Sequence, residues 1–300
     1  MFEIADRLLA AHDDGRTLVV ATAIAIEGSA PRTVGTSMGF DGTAVIGSIA
    51  GGCVEGAVVE VCELVLADGE PRTVDFGVTD DEAFEVGLSC GGELRIHVRL
   101  LDEVAVAALR DAEAGLEASL EVCSEYTEVA RQPERFIIFG AMEYAAALSV
   151  AAIALGFRVT VCDPRPLFLT EERFPGVERI VEWPPVYLTR QEIDERTAIA
   201  VLSHDDRFDA QLIQIALASP ARYVGAMGSR LTHSRRVEAL EERGVDAATL
   251  ARLHSPIGLD LGASTPAETA VSILADVLAA RSGATARPLA LTEGSIHVRG

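Results

Sequence analysis

The second half of the chain repeats one arrangement: a short apolar run that ends in glycine or a polar cluster, then a stretch with helical spacing. "RFIIFGA" (135–141) precedes a helical stretch from Tyr144 to Leu155, and "FRVTVCD" (157–163) follows. "TAIAVLS" (197–203) leads into Phe208–Leu217. "RYVGAMGS" (222–229) leads into helices near Thr232–Arg243 and Pro266–Arg281. Strands this short and apolar are buried on both faces, and only helices on both sides of a parallel sheet do that. The alternation therefore predicts a doubly wound parallel-sheet domain over 131–300, irregular from about residue 282 where the periodicity stops.

The first half follows a different rule. Thr17–Ile26 and Glu93–Leu101 are β-like, the latter through the alternation in "ELRIHVRLL", and a further strand is expected at Arg72–Phe76. Helices are expected from Cys53 to Ala67 and from Asp102 to Leu116, and one weak strand from Glu117 to Val129. The polar "ARQPE" (130–134) reads as a linker, which makes 1–130 an α+β domain. A chain of 300 residues that is 49% hydrophobic and 24% charged can fill two such cores.

Charge narrows the function classes. A net charge of −21 opposes non-specific binding to nucleic acid or to an anionic membrane surface. All 25 basic residues are arginine, so neither a lysine Schiff base nor a P-loop lysine exists here. The first residues lack a basic signal-peptide region, and the longest uncharged run, Tyr144 to Phe157, is too short to span a bilayer. The five cysteines (Cys53, Cys62, Cys90, Cys123, Cys162) are odd in number and match no zinc spacing, which reads as reduced thiols in a cytoplasmic protein.

"FGAMEYA" (139–145) occupies the place of a Rossmann first turn, and Asp163 ends the next strand where a ribose-binding acid belongs. Gly140 and Ala145 fill the first and third positions of that fingerprint. Met142 fills the second, where a glycine lets the backbone approach a pyrophosphate, and Glu143 adds a carboxylate at the helix start. Binding of NAD(P) is disfavoured on these grounds. The strand ends nevertheless converge on one ligand edge, through "CDPR" (162–165), "SHDD" (203–206) and "GAMGSR" (225–230). They offer Arg165, His204, Asp205, Ser229 and Arg230. The plainer reading of the first group is an Asp163–Arg165 ion pair with His204 as a polar cap.

Two glycine–cysteine turns stand out in the first half, "GSIAGGCVEG" and "GLSCGG". A Cys53 at a helix start would face unpaired backbone N–H groups, which favour thiolate, while Gly51 and Gly52 permit close backbone approach and Glu55 caps the first turn. Cys90 with Gly91 and Gly92 repeats the pattern, and "EGSAPRTVG" adds Ser29 and Arg32. Together they outline an anion pocket with one or two soft thiol ligands. The competing reading makes these cysteines core residues and the glycines simple turns. Cys62, Cys123 and Cys162 fit that reading.

"GSAPRTVGTSM", "GSIAGGCVEGAV", "FGVTDDEAFEVGLSCGG", "VTVCDPRPLFLTEERFP", "YVGAMGSRLTHSRRVEAL" and "SPIGLDLGASTPAETAVSILADV" resemble the XdhC/CoxI family in order and spacing, over nearly the whole chain. The resemblance implies an accessory protein of molybdenum hydroxylases such as xanthine dehydrogenase or carbon monoxide dehydrogenase. Such a protein binds the molybdenum cofactor, supports its sulfuration and protection, and helps insert it into the apoenzyme. It implies as site residues Gly28, Ser29, Pro31 and Arg32; Gly51, Gly52, Cys53 and Glu55; and Cys90, Gly91 and Gly92. In the second half it implies Gly140, Asp163, Arg165, His204, Asp205, Gly225, Gly228, Ser229 and Arg230, followed by Pro256, Gly258, Asp260, Gly262, Pro266 and Glu268. Cys53 and Cys90 are the candidate thiols and molybdenum contacts. The hydroxylase apoenzyme is the implied partner, a cysteine desulfurase a further one, and a homodimer the default assembly. Which half holds the cofactor stays open. Two other functions remain beside this one: an NAD(P)-linked oxidoreductase, and an assembly factor that docks on the hydroxylase without touching the cofactor.

Overall fold

The structure, a computed structural model, describes residues 1–27, 32–77 and 93–293. The chain divides into two compact units, Met1–Gln132 and Pro133–Gly300.

The first unit is built on a five-stranded sheet of order β3-β2-β1-β5-β4, antiparallel throughout. Its elements are α1 (Ala5–Asp13), β1 (Val19–Glu27), β2 (Ser37–Phe40), β3 (Val45–Gly47), α2 (Glu55–Asp68), β4 (Arg72–Phe76), β5 (Glu93–Leu100), α3 (Glu103–Glu113), β6 (Ala118–Cys123) and β7 (Tyr126–Ala130). β1 is apolar at nearly every position because both its faces are covered. Val19, Ala21 and Ala23 pack in the core that holds Val58, Val61, Cys62 and Val65 of α2. Val20 joins the core that holds Leu8 of α1, Leu109 of α3 and Leu120 of β6. The single strand expected over Glu117–Val129 is instead a hairpin, β6 against β7. β2 and β3, missed in the sequence, are joined at Asp41, whose carboxylate accepts the N–H groups of Thr43 and Ala44. An Asx turn of this kind supplies local hydrogen bonds in place of the ladder.

The second unit carries a six-stranded sheet of order β10-β9-β8-β11-β12-β13, parallel at every pairing. Its elements are β8 (Arg135–Phe139), α4 (Glu143–Ala154), β9 (Arg158–Cys162), β10 (Glu178–Ile180), α5 (Pro184–Thr189), β11 (Thr197–Val201), α6 (Asp209–Ala218), β12 (Tyr223–Ala226), α7 (Arg230–Glu242), α8 (Ala247–Leu250), β13 (Leu253–His254) and α9 (Pro266–Ser282). Phe136 and Ile138 of β8 pack with α4 and α9 on one face. Ile137 and Phe139 pack with α5 and α6 on the other. This two-sided burial is why the strands read as unbroken apolar runs. α9 starts with a full capping box between Thr265 and Glu268. Its buried Asp276 then accepts the Tyr223 hydroxyl at 2.8 Å and pairs with His254 Nδ1 at 3.0 Å, which ties α9 to β12 and β13. The helices expected near Thr232–Arg243 and Pro266–Arg281 are α7 and α9.

Candidate functional site

The order of the parallel sheet reverses between β8 and β11. The chain leaves β8 towards β9 on one side and returns to β11 on the other, so the loops after these two strands diverge and leave a crevice. A cavity of about 200 Å³ opens there, lined by Gly140, Met142, Asp163, Arg165, His204 and Asp205 among others. Four separate stretches of sequence meet at it. A second, larger cavity of about 540 Å³ lies between the loop after β11 and α7, lined by His204, Asp206, Asp209, Thr232, Arg235 and Arg236 among others. His204 borders both.

Asp163 organises the first cavity. Its buried carboxylate accepts the Ala141 N–H at 2.8 Å and the Arg165 N–H at 2.9 Å, and forms a fork with the Arg165 guanidinium at 2.9 and 2.8 Å. Burial alone would push this carboxyl up. The Arg165 guanidinium and the two backbone N–H groups outweigh burial and hold it below the usual carboxylate range. The Asp163–Arg165 pair is therefore made, and half of the Arg165 side chain still faces solvent. It lies over the Phe168 ring, 4.7 Å from its centroid. Asp205 in turn pairs with Arg207.

The first turn is poorly suited to a dinucleotide. The Gly140 N–H donates to the Cys162 carbonyl and the Ala141 N–H to Asp163, so neither is left for a pyrophosphate. Met142 stands as the residue before α4 with its side chain exposed, and Glu143 pairs with Arg173 at 2.7 Å.

In the first unit the glycine turn is arranged differently from its sequence reading. α2 begins at Glu55 with Val54 as its N-cap, so Cys53 precedes the helix instead of opening it. Most N–H groups of that turn are taken by Glu55, and that of Gly51 by the Ser48 hydroxyl. The Glu55 carboxylate accepts those of Ile49 (3.2 Å), Ala50 (3.0 Å), Gly52 (2.7 Å) and Val54 (3.3 Å), together with the Ser48 hydroxyl at 2.6 Å. The anion that fills this turn is the chain's own carboxylate. Cys53 is half-buried against the α2 core. Arg32 pairs with Glu3 at 2.8 Å at the surface. Gly28, Ser29, Pro31, Cys90, Gly91 and Gly92 lie outside the described residues. Among the described residues, no group of three or more His, Cys, Asp or Glu side chains is placed to hold a metal ion. None of their helices is long and apolar enough to cross a membrane.

At the end of β12, Ser229 caps α7 by accepting the Thr232 N–H at 3.1 Å, with Arg230 exposed beside it. The sequence reading missed Asp209 and Arg236, which are buried in the wall of the larger cavity. The Ser203 hydroxyl donates to Asp209 Oδ1 at 2.6 Å and the Asp205 N–H to Oδ2 at 3.1 Å. The sequence offered only a faint signal, that Arg236 stands four residues before Leu240 and so on the same helix face.

Comparison with known proteins agrees with this architecture. Residues 136–277 match the family described as XdhC Rossmann domain, and residues 11–77 match the XdhC and CoxI family. The chain is 26% identical over 86% of its length to the uncharacterized protein YqeB of Escherichia coli, of which it spans only 42%. It is 27% identical to the molybdenum cofactor insertion chaperone PaoD of the same organism, over 89% of this chain and 84% of PaoD. A crystal structure described as a xanthine dehydrogenase from Bacillus halodurans superposes with a TM-score of 0.75 at 25% identity, over 97% of each chain. With both family descriptions matched in order, one in each unit, the chain belongs to the XdhC and CoxI family.

Proposed function

We propose that this protein is a maturation factor that binds the molybdenum cofactor and delivers it to a molybdenum hydroxylase apoenzyme of the xanthine dehydrogenase type. The observation that carries the reading is the crevice at the switch point of the parallel sheet. There Asp163, Arg165, His204 and Asp205 come together from two loops around a first turn whose N–H groups at Gly140 and Ala141 are spent internally. The similarity to a protein named as a molybdenum cofactor insertion chaperone supports the choice of ligand.

The donor set fits the pterin part of the cofactor. Arg165, with His204 beside it, is placed at the crevice to donate to the carbonyl and ring-nitrogen acceptors of the pterin. When bound, the cofactor supplies the oxo-metal centre that the hydroxylase later uses. The protein's own residues bind it, orient it and shield it. Cys53 and Cys90 are the thiols we assign to sulfur transfer, with a cysteine desulfurase as sulfur donor.

The test is anaerobic mixing with molybdenum cofactor, desalting, and quantification of co-eluting pterin and molybdenum. Near-stoichiometric retention is expected for the intact protein. Arg165→Gln should reduce it about tenfold, the loss of one charge-assisted contact. Cys53→Ser is expected to lower activation of the hydroxylase apoenzyme by the loaded protein, the readout of a thiol role. Absence of retention by the intact protein would remove the carrier role and leave docking or NAD(P)-linked chemistry.

A further inference from the structure

The larger cavity beside α7 has a chemistry that the cofactor reading does not use. Arg236 is only 7% exposed, yet its five N–H donors find few acceptors. One nitrogen donates to the Ser255 hydroxyl at 3.2 Å, and the other to the Met227 carbonyl at 3.0 Å. Its nearest carboxylate, Asp209, is 4.0 Å away, beyond hydrogen-bond distance. Asp209 has its own donors, the Ser203 hydroxyl and the Asp205 N–H. A buried guanidinium held this loosely is poised for an oxyanion that takes two of its N–H groups at once.

The surroundings point the same way. Arg235 lines the cavity next to Arg236, and among the described residues no carboxylate pairs with Arg235, in a chain of 46 acids and 25 bases. The Thr232 hydroxyl lines the same wall. α7 runs for 13 residues with no acid in its first turn, so its positive end is uncompensated. The opposing groups are two. Asp209 is matched by Arg236 across 4.0 Å, and Asp206 is exposed at the rim, where solvent screens it. Arg235 is exposed like Asp206, so the buried charges of the cavity are Arg236 and Asp209, and of these the guanidinium is the one with N–H groups left to give.

We propose that the cavity lined by His204, Thr232, Arg235 and Arg236 is a phosphate site, which takes the phosphomonoester group of a small-molecule ligand on the Arg235–Arg236 pair. It stands whether or not that ligand carries molybdenum. A pterin phosphate and a nucleotide share this group.

The test is calorimetric titration of the full chain with inorganic phosphate and with phenyl phosphate. Binding at millimolar concentration or tighter is expected. Arg235→Gln should weaken it about tenfold, and Arg236→Lys, which keeps a charge opposite Asp209 but loses the fork, by a similar factor. Asp206→Asn should tighten it about threefold by removing the rim repulsion. Arg110→Gln, a surface change in the other unit, serves as the control. If Arg236→Lys fails to fold, Arg235→Gln and Asp206→Asn still decide the matter. No binding by the intact chain, or equal affinity in Arg235→Gln and Arg110→Gln, would overturn the site. Phosphate that displaces retained molybdenum cofactor assigns the group to the pterin. Phosphate that binds without displacing it assigns the site to another phosphomonoester, and both results uphold a phosphate site.

Discussion

Gly140→Ala is expected to destabilise the second unit by about 3–5 kcal/mol, the sum of a strained backbone and an overpacked contact. Gly140 has φ +103°, and a Cβ built there would lie 2.8 Å from the Ser203 nitrogen and 3.1 Å from the Leu202 carbonyl carbon. Both are backbone atoms, and neither can swing aside. They belong to the segment that leaves β11, which is fixed to β8 by the Leu202 N–H on the Phe139 carbonyl at 2.8 Å. The close approach of these two loops is what shapes the smaller cavity, so the same substitution should distort the crevice. The single tryptophan, Trp183, stacks edge-on against Phe208, which lines that cavity, and its fluorescence follows this unit. Urea unfolding monitored at Trp183 is the measurement. Gly156→Ala, in the same unit, is the comparison: its φ is +83° but a Cβ there meets nothing within 4 Å, so only the backbone cost of about 1 kcal/mol applies. Equal losses in the two variants would contradict the steric argument.

Glu55→Gln should cost the first unit about 2–4 kcal/mol, because several N–H groups lose an ionised acceptor at once. Burial by itself would raise the Glu55 carboxyl. The Ser48 hydroxyl and the N–H groups of Ala50 and Gly52 prevail and hold it at about 2, against an ordinary value of 4.5. A carboxyl depressed on folding stabilises the native state fully above its unfolded value and less as pH falls towards its folded one. The difference in urea midpoint between the intact protein and Glu55→Gln should therefore be constant above about pH 5 and shrink between pH 4.5 and 2. A difference that stays level through that window would mean the carboxylate is not the acceptor that matters. The same variant bears on the glycine–cysteine turn. With its anion gone, the turn has N–H groups to offer a ligand, which the native turn gives to Glu55.

Much of the fold was legible in the sequence. Short apolar runs such as "FIIF" and "AIAV" are local signals of strands buried on both faces, and helical spacing between them leaves few topologies. The convergence of Asp163, Arg165, His204 and Asp205 followed from one rule, that ligands sit at the carboxyl ends of parallel strands. The hairpin of β6 and β7 was less legible, since its turn at Ser124 and Glu125 carries neither glycine nor proline. Sequence reasoning also misplaced Cys53: a thiol after two glycines looks like a helix start until the hydrogen bonds of Glu55 are seen.

The sequence by itself determined the main strands and helices of the parallel sheet and the edge where the loops of Asp163 and His204 meet, because periodicity and strand direction are properties of neighbouring residues. Only the tertiary structure decided the long-range contacts. The Asp163–Arg165 pair and the Glu55 cap are local and were expected; that Asp163 also takes the Ala141 N–H and that Arg236 is buried 4.0 Å from Asp209 depend on the fold. Desolvation and hydrogen-bond geometry act between groups far apart in the chain, and no local pattern encodes them.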